Sequence, residues 1–382
     1  MDLMFLEAGI VAWSGLALLW WIVSWSVVRA HAGATVPVER NRAVDAPEPR
    51  LLTVFKPLPQ LHAAPFDGRG IESFLAQLDE DAELLLGVHE VDRAQVEPWL
   101  ARAQRQFSHA RLRVIWRTEP CAMRNPKVAW LKILAPHAKG ELWLWSDADI
   151  YAPSGYLGTA REEHATSGAH LLTSPYVVRD IESGPAVLDA LYVNVEFFPG
   201  VLFLRGLGPV DFGLGAAMLF ARADFDRNVD WTELGAALAD DFVLGQKLQP
   251  VRIGRAELET HAAIASWGEA IRHYLRWSKT VRWNRPGGTA ARLIVLPMLG
   301  WLAFVMCRPD SAFAWMGLAV MMQLDVLAAT LICRRIGCRV GLRDLPALEL
   351  WSIGRAAAWL VCWLPWPVVW SRRSWWRPID KT

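Results

Sequence analysis

Cysteine is scarce: only five of the 382 residues, at 121, 307, 333, 338 and 362, and none in a CxxC spacing. Four of the five lie in or beside apolar C-terminal segments, so buried thiols fit better than a metal site, and nothing asks for an oxidising compartment. An excess of one charge is also missing. Lys and Arg number 40 against 39 Asp and Glu, a net charge of +1, which gives no support to nucleic-acid binding through a basic surface. No internal repeat is present, so a solenoid or propeller is excluded. A cleavable leader is not expected either, because the residues before the first apolar run are acidic (Asp2, Glu7) and that run has the length and Trp content of an anchor.

Apolar surface is what the chain has most of. Hydrophobic residues make up 53% of it, Trp alone occurs 22 times, and the mean hydropathy is +0.19. A charged fraction of 21% is too high for a purely intramembrane protein. Together these imply a membrane-anchored protein with a substantial water-facing domain. Ile10 to Val28 is long enough to span a bilayer, and the basic residues Arg29, Arg40 and Arg42 follow it. The positive-inside rule then puts everything after Arg29 in the cytoplasm, as in a bacterial-type inner-membrane protein. The expected division is an anchor over 1–30, a Pro- and charge-rich linker over 31–50, a cytosolic domain over 51–263, an interfacial amphipathic helix over 264–286 and a C-terminal membrane region over 287–382. Within the last, Leu293 to Cys307 and Ser311 to Cys333 predict a hairpin through the bilayer. Ala356 to Trp370, broken by Pro365 and Pro367, predicts a re-entrant or interfacial segment.

Between the anchor and the amphipathic helix, strands alternate with helices. Leu51–Phe55, Leu84–Val88, Leu112–Trp116 and Leu142–Ser146 read as strands. Apolar residues at helical spacing (Ile71, Phe74, Leu75, Leu78; Val96, Leu100, Ala103, Phe107; Val128 to Leu134) fill the intervals. That pattern predicts a doubly wound, mostly parallel α/β sheet.

Five groups of residues carry chemistry. Asp147-Ala-Asp149 follows the fourth strand, at the carboxyl edge where such sheets bind ligands. On an extended chain both carboxylates face the same way, and hard oxygen donors suit Mg²⁺ or Mn²⁺ shared with a diphosphate. Two solvated acids in a turn would account for the spacing alone. Glu90 and Asp92 end the second strand on the same edge, where a carboxylate can accept from a base or a ribose hydroxyl. Asn125-Pro-Lys127 opens a helix whose N-terminus, with a Lys, would attract phosphate oxygens, or which is simply capped. Asp240-Asp241 opens another helix, as dipole caps or with one acid as a general base. Last, Arg276-Trp277 lies in the amphipathic helix, where Arg276, Lys279 and Arg282 with Tyr274, Trp277 and Trp283 suit a membrane surface and Arg276 could contact a diphosphate bidentately.

In this order, and with Phe55-Lys-Pro-Leu58 before them, these motifs resemble the ceramide glucosyltransferase family (glycosyltransferase family 21) of the inverting GT-A group, over about residues 5–330. Bacterial hopanoid-associated glycosyltransferases look alike. The resemblance implies a GT-A fold and transfer from a UDP-sugar, UDP-glucose foremost, to the hydroxyl of a membrane lipid such as ceramide. It implies Asp241 as base, Asp147 and Asp149 on the metal, Glu90, Asp92, Asn125, Lys127 and Asp147 around the nucleotide sugar, and Arg276-Trp277 closing the site. The family begins its last motif with Gln or Arg where this chain has His273, and animal members tend to keep one acid of the Asp-x-Asp. A processive polysaccharide synthase and a non-enzymatic scaffold are the competing classes. Two or three C-terminal spans supply little channel for the first, and intact acids at every site argue against the second.

Overall fold

A computed structural model describes residues 3–34, 51–58, 61, 66–118, 123–181, 184–262, 264–370 and 373–379. From residue 35 onward the expected linker lies outside the described residues, as does Cys121. The chain divides into two units that interleave in sequence, where a linear succession was expected. A sheet unit takes Thr35–Tyr176, Leu204–Thr260 and Ser371–Thr382, and a helical unit takes Met1–Ala34, Val177–Phe203 and His261–Trp370.

Ten strands up to residue 262 matter for the site: β1 (Leu52–Pro57), β2 (Ala82–His89), β3 (Arg111–Arg117), β4 (Leu142–Ser146), β5 (Ile150–Tyr151), β6 (Leu171–Thr173), β7 (Tyr176–Ile181), β8 (Ala217–Ala221), β9 (Val251–Ile253) and β10 (Leu258–Ala262). The main sheet of the sheet unit runs β3-β2-β1-β4-β8-β6-β9. Its first four strands are parallel, β8 is antiparallel to β4 and β6, and β9 is parallel to β6. The expected mostly parallel sheet is therefore present, with one reversed strand inside it. The helices between the parallel strands are Arg69–Leu75, Arg93–Gln106 and Pro126–Leu134. In the second of these Trp99, not Leu100, joins Val96 and Ala103 in the core.

β4 is held rigidly because both its faces are covered. Trp143 and Trp145, two apart and so on one face, are 2% and 0% exposed. They pack against Phe55, Phe220 and Phe225, and Trp145 also stacks on Trp231. Part of the Trp excess thus belongs to this sheet core and not to a bilayer. The segment after β4 is shaped from behind. A Cβ on Gly70 would lie 2.7 Å from Ala148 O, so only glycine lets the first intervening helix back onto the turn at 147–149.

In the helical unit, Leu3–Ala34 packs with Met298–Cys307, Ala312–Arg335 and Leu345–Val361 through Ile10, Met298, Trp301, Ala314, Met321 and Ala356. Met4–Ala32, Gly184–Leu207 and Ala312–Arg335 are long and apolar enough to cross a membrane. The first and third bear out two of the expected apolar spans by length and composition. The second is not among the expected spans. The expected first arm of the hairpin, Leu293 to Cys307, is broken: the helices either side of Leu296-Pro297 bend by 63°. Pro297 lacks the N–H that would continue the helix, and the ten residues after it are only about 15 Å long. The last apolar segment also differs from expectation, since its helix begins at Leu345 and ends at Val361. Arg355, just before the expected start at Ala356, lies inside it and is 3% exposed because its guanidinium meets Asp325 at 2.7 Å. Trp21 and Ser352 donate to the same carboxylate at 2.9 and 2.8 Å, so both Asp325 oxygens are bonded.

Candidate active site

Asp147, Ala148 and Asp149 do not continue the strand. They form the turn between β4 and β5, so the extended-chain argument for a shared direction does not apply to the two carboxylates. The turn is fixed by Lys56, which is fully buried at the end of β1. Its ammonium donates to Ser146 Oγ (3.0 Å), Asp147 O (2.7 Å) and Ile150 O (3.2 Å), and sits 3.8 Å from the centre of the Phe74 ring. Burial drives the Lys56 ammonium down to about 7, against the charges of Asp149 and Asp147 that favour it.

Next to the turn, Asn125-Pro-Lys127 opens the helix Pro126–Leu134 as expected. Asn125 caps it by accepting from Val128 N at 3.1 Å, and Pro126 stands in the first turn. The Asn125 side chain is wholly buried and donates to Ala237 O (3.0 Å) and Asp240 Oδ1 (3.3 Å), tying this helix start to the one at 240. Lys127 Nζ then lies 2.7 Å from Asp147 Oδ1 and 3.5 Å from Asp240 Oδ2. Burial works against its charge, but Asp147, Asp240 and Asp241 outweigh that and hold the ammonium above its usual range.

Asp240 does not cap its helix, whose N-cap is Ala239 without a side-chain bond. It is 6% exposed and holds Asn125 and Lys127 instead. Asp241 accepts from Gly215 N (3.0 Å) and Phe242 N (2.8 Å). Burial first, then the neighbouring Asp240 charge, push the Asp241 carboxyl up to about 6, although Lys127 and the two N–H groups pull the other way.

The point where these groups converge is marked by a missing side chain. A Cβ on Gly215 would lie 3.3 Å from Lys127 Nζ, 3.4 Å from Asp241 Oδ2 and 3.5 Å from Asp147 Oδ2. One ammonium and two carboxylates from three separate elements thus meet at one spot beside the carboxyl edge of β4. Gly215 was not singled out in the sequence, because a glycine acting by leaving room has no motif of its own. Lys56 was quoted only as part of a motif.

The remaining predicted residues are placed as follows. Glu90 and Asp92 form the 3₁₀ turn after β2, on the same sheet edge. Glu90 is paired with Arg93, and Asp92, 3% exposed, accepts from Leu61 N at 3.1 Å. Asp149 is exposed. Arg276 and Trp277 lie on Trp267–Asn284 in the helical unit. That helix is not the simple surface helix expected. Tyr274 and Lys279 are 9% and 2% exposed, Tyr274 donates to Glu196, and Lys279 donates to Leu364 O. The C-terminal tail is a part of the sheet unit that sequence reasoning missed. Leu238 N donates to Pro378 O at 2.9 Å, and Arg373 donates to Met123 O, so the tail braces the approaches to both Asn125 and Asp240.

The donors suit a hard divalent cation. Asp149 offers an exposed carboxylate and Asp147 keeps one oxygen beyond its bond to Lys127. Among the described residues no three His, Cys, Asp or Glu side chains group to hold a metal alone. Mg²⁺ bound mainly by substrate phosphates needs only one or two protein carboxylates.

A family model described as glycosyl transferase family 21 matches residues 16–377. No curated protein matches the chain. Among solved structures, similarity is found to the mannosyltransferase PcManGT of Pyrobaculum calidifontis in complex with GDP-Man and Mn²⁺, at 16% identity, 93% of this chain, 99% of that one and a TM-score of 0.46. GalNAc-T7 with UDP, GalNAc and Mn²⁺ is similar at 12% identity, 63% of this chain, 51% of that one and a TM-score of 0.42. TarS residues 1–349 of S. aureus is similar at 11% identity, 86% and 99% coverage and a TM-score of 0.37.

Proposed function

From the premise that this chain belongs to glycosyltransferase family 21, we propose that it transfers a sugar, glucose foremost, from a UDP-sugar to the hydroxyl of a ceramide-like membrane lipid with inversion at C1. The observation that carries this is the convergence of Lys127, Asp147 and Asp241 on the space beside Gly215. An ammonium there can hold phosphate oxygens, and a half-buried carboxylate raised to about 6 can take a proton.

Asp241 Oδ2 removes the proton of the lipid hydroxyl as that oxygen bonds to C1 of the sugar and the bond from C1 to the UDP phosphate oxygen breaks. Lys127, released from Asp147 in part, stabilises the phosphate charge, and Lys56 keeps the 147–149 turn in place beneath it. A divalent cation on Asp149 and Asp147 would supply charge neutralisation for the departing diphosphate. Glu90 and Asp92, on the same edge, are assigned to the nucleoside. For Arg276 and Trp277 the closing role rests on the motif. The return of residues 373–379 to the sheet unit supports an orientation with the C-terminus on the same, cytoplasmic side as the catalytic residues.

The test is the lipid content of a bacterial host expressing the chain with and without ceramide feeding, read by mass spectrometry. Hexosylceramide is expected. A glycosylated hopanoid or diacylglycerol alone would move the assignment to that acceptor, and no new glycolipid at all would remove the reading.

Two further outcomes follow from the site. Stripping with EDTA is expected to abolish UDP release, with Mg²⁺ or Mn²⁺ restoring it; full turnover in stripped enzyme would contradict the cation assignment. The pH profile has a worked sign. The base must be ionised, so kcat should fall about tenfold per unit below pH 6. Stability moves oppositely: a carboxyl raised from 3.8 to about 6 by folding contributes fully below about pH 4 and loses that contribution as pH rises through 6. A kcat flat from pH 5 to 8 would count against Asp241 as base.

A further inference from the structure

His273 stands where the family has Gln or Arg, and the mechanism above does not use it. Its ring bridges two groups in the helical unit. Trp277 Nε1 lies 3.0 Å from His273 Nε2, and His273 Nδ1 lies 2.5 Å from Asp189 Oδ1. An indole N–H can only donate, so Nε2 must be the accepting nitrogen. The proton of a neutral imidazole is then on Nδ1, where it donates to Asp189. The three residues form a one-way chain of hydrogen bonds, Trp277 to His273 to Asp189, that fixes the tautomer and the ring plane together.

The indole is also confined by its surroundings. The rings of Tyr192 and Phe197 meet Trp277 edge to face, with centroids at 5.5 and 6.1 Å. Both come from Tyr192–Phe197, a π-helical turn that continues the helix bearing Asp189. Such widened turns are uncommon and gather at functional sites. This one is anchored by Glu196, which accepts from Tyr274 and from Trp351 (2.9 Å) and pairs with Arg292. Trp277 itself is only half-buried. A hydrogen bond on the indole N–H, two ring edges and an anchored turn thus hold one plane for a side chain that is not part of the closed core.

We propose that His273 is a positioning residue which, with Asp189, sets the indole plane of Trp277 for the transfer reaction. The proposal rests on the reading that this chain is a glycosyltransferase in which Trp277 takes part. It predicts that Gln at 273, whose amide oxygen can accept from the indole, works as His does, whereas a ring without an acceptor does not.

The experiment measures UDP release from UDP-glucose with a short-chain ceramide in detergent, using the full chain. UDP affinity by calorimetry reports, on the same samples, whether each variant is folded. H273F is expected to lower kcat about tenfold with UDP affinity unchanged, as for loss of one orienting hydrogen bond. H273Q should stay within about twofold of the natural chain, and D189L should fall with H273F. In a W277F background, which lacks the indole N–H, adding H273F should change kcat by less than twofold. An equal loss from H273F in both backgrounds, or a loss in H273Q as large as in H273F, overturns the relay. If H273F does not fold, the comparison of H273Q with D189L decides in the same way. W277A separates the two levels: undiminished turnover there removes the part given to Trp277, while a dead W277A beside an undiminished H273F removes the relay alone.

Discussion

Replacing Asp241 by Asn is expected to lower kcat by about 10²-fold or more while UDP-sugar binding survives. Asp241 Oδ2 faces the space beside Gly215, and the carboxyl is already held up to about 6, so a proton taken there is accepted and returned near neutral pH. An amide has no such capacity. The substitution also sets an NH₂ against the N–H of Gly215 or Phe242, both of which Asp241 now accepts from. That costs roughly 1–3 kcal/mol of stability, so UDP affinity by calorimetry must accompany the kinetics. Asp240→Asn is the control. Asp240 holds Asn125 and Lys127 and is not among the nearest groups at Gly215, so its loss should lower the melting temperature more than the turnover. Turnover lost in Asp240→Asn and kept in Asp241→Asn would move the base by one residue. Turnover kept in both would send the proton elsewhere and end this mechanism.

The order in which such residues become legible follows from how each acts. The four parallel strands and the helix opening at Asn125 could be read because apolar period and capping chemistry are local. The Asp147/Asp149 pair could be located but not oriented, since its turn is imposed by Lys56 and Gly70, about 80–90 residues away in sequence. Gly215 contributes an absence, which no periodicity records. In the continuous helix over 184–207, Asp189, Asn194 and Glu196 are polar residues that break an apolar pattern unless their partners are known. Asn194, for instance, bonds both the N–H and C=O of Val178 at 2.9 and 2.7 Å, so its burial is satisfied. Arg355 is another such residue, for its partner Asp325 lies 30 residues earlier. Polar residues inside apolar elements are thus what a single sequence hides best.

Lys127→Met should have the largest combined effect on stability and catalysis. Met keeps the length of the side chain and removes the one ammonium shared by Asp147, Asp240 and Asp241. Breaking a fully buried ion pair typically costs about 3–5 kcal/mol; the cost here should be smaller, because Asp147 is 38% exposed and its charge is partly solvated once Lys127 is gone. The same change raises the Asp241 carboxyl further above 6, since Lys127 is the charge that now pulls it down. Whatever activity survives should therefore have its acid limb at higher pH than in the natural chain, and the affinity for UDP should fall with the lost phosphate contact. Lys127→Arg, which retains the charge, should keep the limb near its original place even if the bulkier group slows turnover. The measurements are the pH dependence of kcat, UDP affinity and the melting temperature for both variants. An acid limb that stays at the same pH in Lys127→Met would mean that the ammonium does not act on the base.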